Sequence, residues 1–423
     1  MGKPQTIVAQ WVKLKEDQSL SSHKSRMCPA TRSNWQHTKP PYERHRCTES
    51  TILLGSSIRS PDPAHFVQKY RTDSTWCKHL LGSEYQLIEA VHSLMVCQLP
   101  APSLDYPANA SPVHAAVPGH PDLILKLLSV DPANYSDAPT EGIRRVLSLA
   151  TGSTHPRGQP LDLFHVEAIR MGTTVGTNAL LERTGSRSAL LITKGFKDLL
   201  RIGTQSRPKI FDLSISKPDV LYEHVIEIDE RVTMEDYTES PDKAPIIHDS
   251  HDPDLVRGVT GEFVRVLQRP DVFGVRRELQ KLWDSGYRSI SIVFMHSYAY
   301  PDHENLVGGI AVAMGFSVAL SSALQPMIKA VSRGMSATAD AYLTPVIKEY
   351  INSISTNFRG GLESQRTRCE FMQSDGGLVD YRKFSGLKAI LSGPAGITAF
   401  TSATRRKLIN TRRCSRLRTD VLG

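Results

Sequence analysis

The chain has 423 residues, 40% of them hydrophobic, which suits about two to three domains with buried cores. No apolar run reaches the ~18 residues that a membrane-spanning helix needs, and the N-terminus lacks the layout of a signal peptide, so we expect no membrane partner and a cytoplasmic location. The six cysteines include no Cys-x-x-Cys pair, so we expect free thiols and no metal centre.

Both ends of the chain lack core-forming patterns. Residues 1–121 have poor hydrophobic periodicity apart from one helical pattern at Ser83–Val96, and residues 100–121 contain six prolines and are predicted to be a linker. Residues 401–423 form a tail in which seven basic residues face one acid. Such a tail can bind nucleic acid, but it lacks interleaved aromatic residues, so we expect a disordered end and no nucleic-acid partner.

From residue 122 to residue 230, predicted strands alternate with helices. The helix Asp137–Ser148 is entered through Pro139, and a second helix is predicted at Ala179–Thr184. The predicted strands of this part are Leu123–Leu128, Val166–Met171, Ser188–Thr193 and Val225–Glu230.

Residues 231–400 repeat this alternation. The predicted helices are Val275–Trp283, a helix capped by Asp302 that runs to Met314, and Ser336–Phe358, which Pro345 is expected to kink or restart. The predicted strands are Ser289–Met295, Phe316–Leu320, Cys369–Gln373 and Lys388–Leu391, with a tight turn at residues 374–377. Strands and helices in alternation predict an α/β fold with a parallel sheet.

A polar loop at Gly172–Asn178 combines two glycines with threonines and an asparagine just before a predicted helix. Glycine lets the backbone approach a ligand, and a helix N-terminus favours anions, so such a loop can bind an anionic or polar ligand. The same composition is found in many turns that bind nothing.

Five longer strings resemble the hydantoinase A/5-oxoprolinase family, nearest its eukaryotic ATP-dependent branch. In chain order they are Leu125–Arg145, Met171–Leu213, His296–Glu304, Arg333–Ile347 and Phe371–Gly396. The resemblance implies an incomplete actin-like/sugar-kinase-like (ribonuclease-H-like) α/β ATPase fold with poorly ordered ends. It divides the chain into residues 122–230, a partial N-terminal region, and residues 231–400, a partial hydantoinase A/oxoprolinase domain.

The resemblance also implies an activity, the ring-opening hydrolysis of 5-oxoproline to glutamate with ATP and Mg²⁺. The family grips phosphates and metal with DxGGTFTD and DMGGTSTD hairpins, and this sequence contains neither string. We therefore assign no catalytic residue and no metal ligand, and expect impaired activity. The alternative is a catalytically dead fragment or misassembled coding sequence, with a nucleic-acid-binding tail a distant third. The choice between 5-oxoproline and a hydantoin-type ring stays open, as does homo-oligomerisation.

Nine residues of the matching strings are candidates for substrate or nucleotide binding. They are Thr173, Thr174, Thr177, Asn178, Arg207, Asp375, Gly376, Gly393 and Gly396. A structural role is the alternative for each, in the turn at Asp375 above all. We interpret His296 and His303 as surface or capping residues, and Asp340 as a buried hydrogen-bonding residue.

Overall fold

The computed structural model describes residues 8–14, 110–118, 121–129, 131–204, 219–235, 251–363 and 366–396. All of them belong to one compact unit, formed by residues 1–16 and 75–423. The predicted helix at residues 83–96, the basic tail and Arg207 lie outside the described residues. No helix in the described part of the chain is long and apolar enough to cross a membrane.

The fold is mixed α/β, as predicted, with three sheets. Its strands are β1 (Val8–Leu14), β2 (Ala110–Ala116), β3 (Leu123–Leu128), β4 (Val166–Thr173), β5 (Ser188–Thr193), β6 (His224–Ile228), β7 (Arg231–Met234), β8 (Leu255–Arg257), β9 (Phe263–Gln268), β10 (Ser289–Val293), β11 (Ser317–Leu320), β12 (Arg368–Met372) and β13 (Leu378–Asp380). Its helices are α1 (Ala138–Thr151), α2 (Val175–Leu181), α3 (Leu199–Ile202), α4 (Val272–Asp284), α5 (Asp302–Ala313), α6 (Ser321–Leu324), α7 (Ala330–Ser355) and α8 (Gly386–Ala389), with a 3₁₀ turn at Tyr381–Lys383.

The largest sheet has six strands in the order β13-β12-β4-β1-β2-β3. β1 lies inside it, parallel to β2 with Gln10 opposite Val113 and antiparallel to β4 with Gln10 opposite Met171. The expectation of little regular structure before residue 122 is therefore wrong for β1 and β2, and β2 lies within the predicted linker. Each of these segments pairs with a strand on both of its sides, and this pairing stabilises them as strands although their hydrophobic pattern is weak.

Strand β1 alternates as a half-buried strand should. Val12 and Leu14 enter the core, whereas Lys13 is exposed and its Nζ lies 2.8 Å from a carboxylate oxygen of Glu167. Gln10 is buried on the core face, and its Nε2 donates to the Pro139 carbonyl of α1 (3.2 Å). One helix thus packs directly on the central strand.

Helix α1 begins as the sequence predicts. The Asp137 side chain accepts from the Thr140 backbone N–H (2.7 Å), with proline in the first turn. Glu141 is buried beneath this end and accepts from Arg145 Nε (2.9 Å) and Arg157 Nη2 (2.7 Å). Burial alone raises the pKa of Glu141, but the hydrogen bonds from Arg157 and Arg145 outweigh it and hold that pKa below its usual value.

The second sheet has four strands, all parallel, in the order β11-β10-β5-β6. Every residue of β5 and β10 is buried, because helices cover both faces of the sheet. The bounds of β5 match the predicted strand, and β10 is two residues shorter than predicted. The three strands β7, β9 and β8 form a small antiparallel sheet beside it.

Helix α7 runs without interruption through Pro345, so the predicted restart of the helix there is wrong. Proline has no backbone N–H to donate to the carbonyl four residues earlier. Ser289 Oγ of β10 donates to that Ala341 carbonyl instead (2.6 Å). A side chain of the neighbouring sheet therefore replaces the missing helical hydrogen bond.

Three further predictions differ from the structure. The predicted strand Lys388–Leu391 is wrong, because Gly386–Ala389 forms α8. The predicted helix Ala179–Thr184 starts earlier, at Val175. Asp302 is the first residue of α5 and not its cap, because Pro301 occupies the cap position and makes no side-chain hydrogen bond.

Candidate functional site

The polar loop predicted to bind an anion packs against the glycine-rich turn near residue 393. Thr173 is 0% exposed, and its backbone N–H donates to Ser392 Oγ (3.1 Å). Its hydroxyl accepts from the Val175 backbone N–H (3.3 Å), and the Thr177 hydroxyl donates to the Ile390 carbonyl. Two of the predicted ligand-binding hydroxyls are therefore engaged by the protein itself.

Glycines allow this close approach. A Cβ at Gly393 would lie 2.2 Å from Thr174 Cγ2, and a Cβ at Gly172 would lie 2.8 Å from the Ser392 carbonyl oxygen and 3.0 Å from Gly396 Cα. Residues 392–396 are helical, so the turn starts a helix as predicted. The glycines permit this contact between the two loops.

The turn at Asp375 lies beside the same junction. Gly376 has a φ of 85°, and the Gly377 backbone N–H donates to Asp375 Oδ1 (2.8 Å), as in a tight turn. Ser374 Oγ donates to the Lys388 carbonyl (2.8 Å) and accepts from the Leu391 N–H (3.1 Å). The candidates Thr173, Thr174, Thr177, Asn178, Asp375, Gly376, Gly393 and Gly396 thus lie in or next to one junction of three loops.

The described residues of this junction offer no ligand set for Mg²⁺, and two of its hydroxyls already have partners within the protein. The Thr173 and Thr177 hydroxyls have protein partners, and no group of three or more His, Cys, Asp or Glu side chains among the described residues could hold a metal ion. We therefore derive no chemical step through ATP or metal from these residues. The predicted roles of the nine candidates remain predictions.

A second polar cluster lies where the parallel strands β5, β6 and β10 end. Thr193 Oγ1 donates to Glu230 Oε1 and accepts from the Met295 backbone N–H (2.9 Å). Glu230 Oε2 lies 2.8 Å from His303 Nδ1. His303 is 4% exposed, so the interpretation of this residue as a surface side chain is wrong. A buried carboxylate that accepts its Nδ1–H explains its position inside the fold.

Glu304, next to His303, is 0% exposed and accepts four hydrogen bonds. The donors are the Phe294 N–H (2.9 Å), Ser321 Oγ (2.6 Å), the Ser322 N–H (2.9 Å) and Ser322 Oγ (2.7 Å). The carboxylate thereby fixes the backbone after β10 to the start of α6.

Arg333, at the start of α7, is also 0% exposed. It donates to the carbonyls of Phe294 (2.6 Å) and Met327 (2.7 Å) and to Ser321 Oγ (2.9 Å). Burial lowers the pKa of Arg333, and the charge of Glu304 opposes that effect. No role was assigned to Glu304 or Arg333 from the sequence. Their place in two of the family-like strings was the one sequence feature that could have pointed to them.

His296 is held between these anchors. It has a φ of 59°, and it shares a positive φ only with Arg183 among the non-glycine residues that the structure describes. The side chain is half-buried, 6.2 Å from the Tyr298 ring between centroids, and its ring nitrogens make no hydrogen bond to a described residue. Burial lowers the pKa of His296, and the positive charge of Arg333 lowers it further. Its imidazole is thus neutral near pH 7.

The rim of this edge is charged. Arg231 Nη2 donates to the Lys194 carbonyl (3.0 Å), and the guanidinium lies 5.0 Å from the centre of the Phe196 ring. Lys194 Nζ pairs with Asp229 Oδ2 (2.8 Å), and the Gly195 N–H donates to Glu227 Oε1 (2.7 Å). The parallel sheet covered by helices defines an α/β protein, and these groups lie at the carboxyl edge of that sheet, where ligands of open α/β sheets bind.

Comparison with known proteins names the family. Residues 119–315 match the hydantoinase/oxoprolinase N-terminal region, and residues 333–414 match the hydantoinase/oxoprolinase domain. The chain is 55% identical to 5-oxoprolinase of Saccharomyces cerevisiae over 279 residues, which are 65% of this chain and 21% of that protein. It is 52% identical to 5-oxoprolinase 1 of Arabidopsis thaliana over 295 residues, 69% of this chain and 22% of that protein. The chain belongs to the hydantoinase/oxoprolinase family, and the predicted resemblance is confirmed.

These matches cover most of this chain but only a small part of each relative. The chain spans about a fifth of the length of the curated relatives it matches. Among solved structures, it is similar to the ATP-dependent caprolactamase of Pseudomonas jessenii, with 23% identity, a TM-score of 0.46, and coverage of 64% of this chain and 36% of that one.

Proposed function

We propose that this chain takes part in the ATP-dependent ring-opening hydrolysis of a cyclic amide, with 5-oxoproline as substrate and glutamate as product. The observation that supports it is 45–55% identity to proteins named 5-oxoprolinase over 65–73% of the chain. The residues that match the family include Arg231 and His296, in the stretch 119–315, and Arg333, in the stretch 333–414.

The functional groups of 5-oxoproline match the residue types at this edge of the sheet. The amide of a five-membered lactam is resonance-stabilised and little strained, so water attacks it slowly, and ATP cleavage supplies the driving force. 5-Oxoproline carries one carboxylate, one ring N–H and one amide carbonyl. A site for it needs a cation and a hydrogen-bond acceptor, and Arg231 and His296 are groups of those two kinds.

The test is a coupled product assay on the purified full chain. With 5-oxoproline, ATP and Mg²⁺ we expect glutamate and ADP in equal amounts, and neither above background when 5-oxoproline is omitted. A hydantoin-type ring offered in its place distinguishes the two substrate classes, and preference for hydantoin would contradict the proposed substrate. Folded protein that forms no glutamate from 5-oxoproline, and no ADP above background with either ring, would refute independent activity.

A second candidate is that the chain belongs to this enzyme family but does not turn over substrate alone. The observation that favours it is the absence of both DxGGTFTD and DMGGTSTD from the sequence, together with loop hydroxyls that are already engaged. Calorimetric titration with Mg-ATP separates the candidates. Absence of binding by a folded protein supports the second, and micromolar binding contradicts it. Homo-oligomerisation and cytoplasmic location stay predictions.

A further inference from the structure

The four-stranded parallel sheet reverses its strand order at one place. From β5 the chain moves outward to β6, and it then returns to the other side of β5 to add β10 and β11. β5 and β10 are therefore neighbours whose following connections diverge. In open α/β sheets such a reversal leaves a crevice at the carboxyl ends of the two strands, and ligands bind there.

His296 lies at this reversal, three residues after β10 ends at Val293. The backbone before it is fixed by three buried side chains: Glu304 accepts from the Phe294 N–H, Arg333 donates to the Phe294 carbonyl, and Thr193 of β5 accepts from the Met295 N–H. The left-handed conformation of His296 is thereby imposed by its surroundings. Strain of this kind at a non-glycine residue persists where the surrounding structure over-determines it, and it concentrates at functional sites.

Two histidine rings in this region have nitrogens without a partner among the described residues. The ring of His296 has no hydrogen bond to a described residue, and the buried Nε2 of His303 has none either. Glu230 engages the Nδ1 side of the His303 ring, so the Nε2 side is the one without a partner. Buried polar atoms are nearly always hydrogen-bonded, so the buried Nε2 of His303 indicates a place for water or a ligand, and the half-buried ring of His296 is open to one as well.

The electrostatic field at His296 is set by three groups on different elements. Arg333 of α7 and Arg231 of β7 both disfavour its protonation, and Glu230 after β6 favours it. The Glu230 carboxylate is already bound by Thr193 and His303. Glu304 offsets the charge of Arg333, and Glu230 is engaged, so Arg231 is the cation of this edge that can attract an anionic ligand.

We propose that His296 accepts a hydrogen bond from a small carboxylate-bearing molecule that binds at this strand reversal. Its partner on the ligand is an N–H or O–H group, and the ligand carboxylate lies in the field of Arg231. The choice of 5-oxoproline as the probe rests on the proposed function, whereas the assignment of His296 as a ligand-binding residue does not.

The first experiment asks whether His296 serves the fold or a ligand. His296→Gly removes the left-handed strain together with the imidazole, and Arg183→Gly is the matched control at the other positive-φ position. We expect the unfolding equilibrium constant of each variant to stay within about fivefold of the parent, because the relief of strain offsets the flexibility of glycine. Destabilisation of His296→Gly by more than about tenfold, with Arg183→Gly unchanged, would show that His296 packs the fold and overturn the proposal.

The second experiment measures binding on the full chain with carbon-labelled histidine by NMR. We expect 5-oxoproline to shift the His296 ring signal of the parent, and 2-pyrrolidinone, which lacks the carboxylate, to bind at least about tenfold more weakly. Because His296→Asn lacks the reporting ring, its affinity for 5-oxoproline is measured by calorimetric titration, where we expect binding at least about tenfold weaker than to the parent. Arg183→Gly should bind like the parent.

Each outcome separates the inference from the proposed function. If 5-oxoproline binds parent and His296→Asn equally, or does not bind the parent, the inference is overturned even where the glutamate assay is positive. If binding depends on His296 while no glutamate forms, the inference holds and the proposed activity of this chain fails.

Discussion

Replacing Glu304 by glutamine tests the buried network at the end of β10. The amide keeps the shape of the carboxylate, but one of its two ends becomes an NH₂ group that cannot accept. Each carboxylate oxygen now accepts from one backbone N–H, Phe294 on one side and Ser322 on the other. A serine hydroxyl can rotate away from the new NH₂, whereas a backbone N–H cannot, so one donor faces another in either orientation.

The same substitution removes the anion nearest to the buried Arg333. Hydrogen bonds to a charged group contribute about 1.5–3 kcal/mol each, and breaking one side of a buried ionic network costs about 3–5 kcal/mol. We therefore expect Glu304→Gln to lower the free energy of unfolding by about 3–5 kcal/mol, measured by urea denaturation with an unchanged slope.

The matched control is Glu278→Gln on the exposed face of α4, where the carboxylate pairs with Lys281 at 2.8 Å. Breaking that surface pair should lower the free energy of unfolding by less than about 0.5 kcal/mol. Arg333→Met should cost less in the Glu304→Gln background than alone, because the two charges are coupled. A loss below about 1 kcal/mol for Glu304→Gln would refute the reasoning, since it would mean that water reaches this carboxylate.

Three further predictions concern packing, helix geometry and pH. Gly393→Ala should cost about 1–3 kcal/mol in thermal denaturation, and Thr174→Ser, which removes the clashing methyl, should restore most of it; no rescue would contradict the packed junction. Ser289→Ala should cost about 1–3 kcal/mol alone but less in a Pro345→Ala background, which returns a backbone N–H, and additive effects would count against this exchange. Because the pKa of Glu141 is lowered by folding, its contribution is present above the unfolded value and lost as pH falls through the folded value. The stability difference between parent and Glu141→Gln should therefore shrink between about pH 5 and about pH 3, and a constant difference in urea titrations would contradict it.

The elements that the sequence predicted best are those whose pattern is local. Ser188–Thr193 is a continuous apolar run, and it forms a strand with the predicted bounds because both of its faces are covered. Asp137 with Pro139 marks the start of a helix through a cap that depends on neighbouring residues alone. Lys388–Leu391 failed because a short apolar run carries no period that separates strand from helix.

In the candidate site, too, the sequence revealed local strings but not the contacts between distant residues. The threonine and glycine strings were found because they are long and local, but their contact with one another joins residues more than 200 positions apart. His303 and Glu304 stand in the first turn of a helix, where a polar pair ordinarily faces water. Their burial is decided by Glu230 and Ser321, which approach from other elements, and no local pattern reveals that approach.

The position of β1 decides which part of the chain can test function. The family match begins at residue 119, so β1 and β2 lie outside it, although β1 joins β2 to β4 in the middle of the six-stranded sheet. Without β1, β4 would present a row of unpaired backbone groups, and the buried positions of Val12 and Leu14 would be left empty. In residues 119–414 alone, β4 would therefore lack its neighbouring strand β1. Loss of activity or binding in that segment would indicate a folding defect, and it would not test His296 or the loop junction.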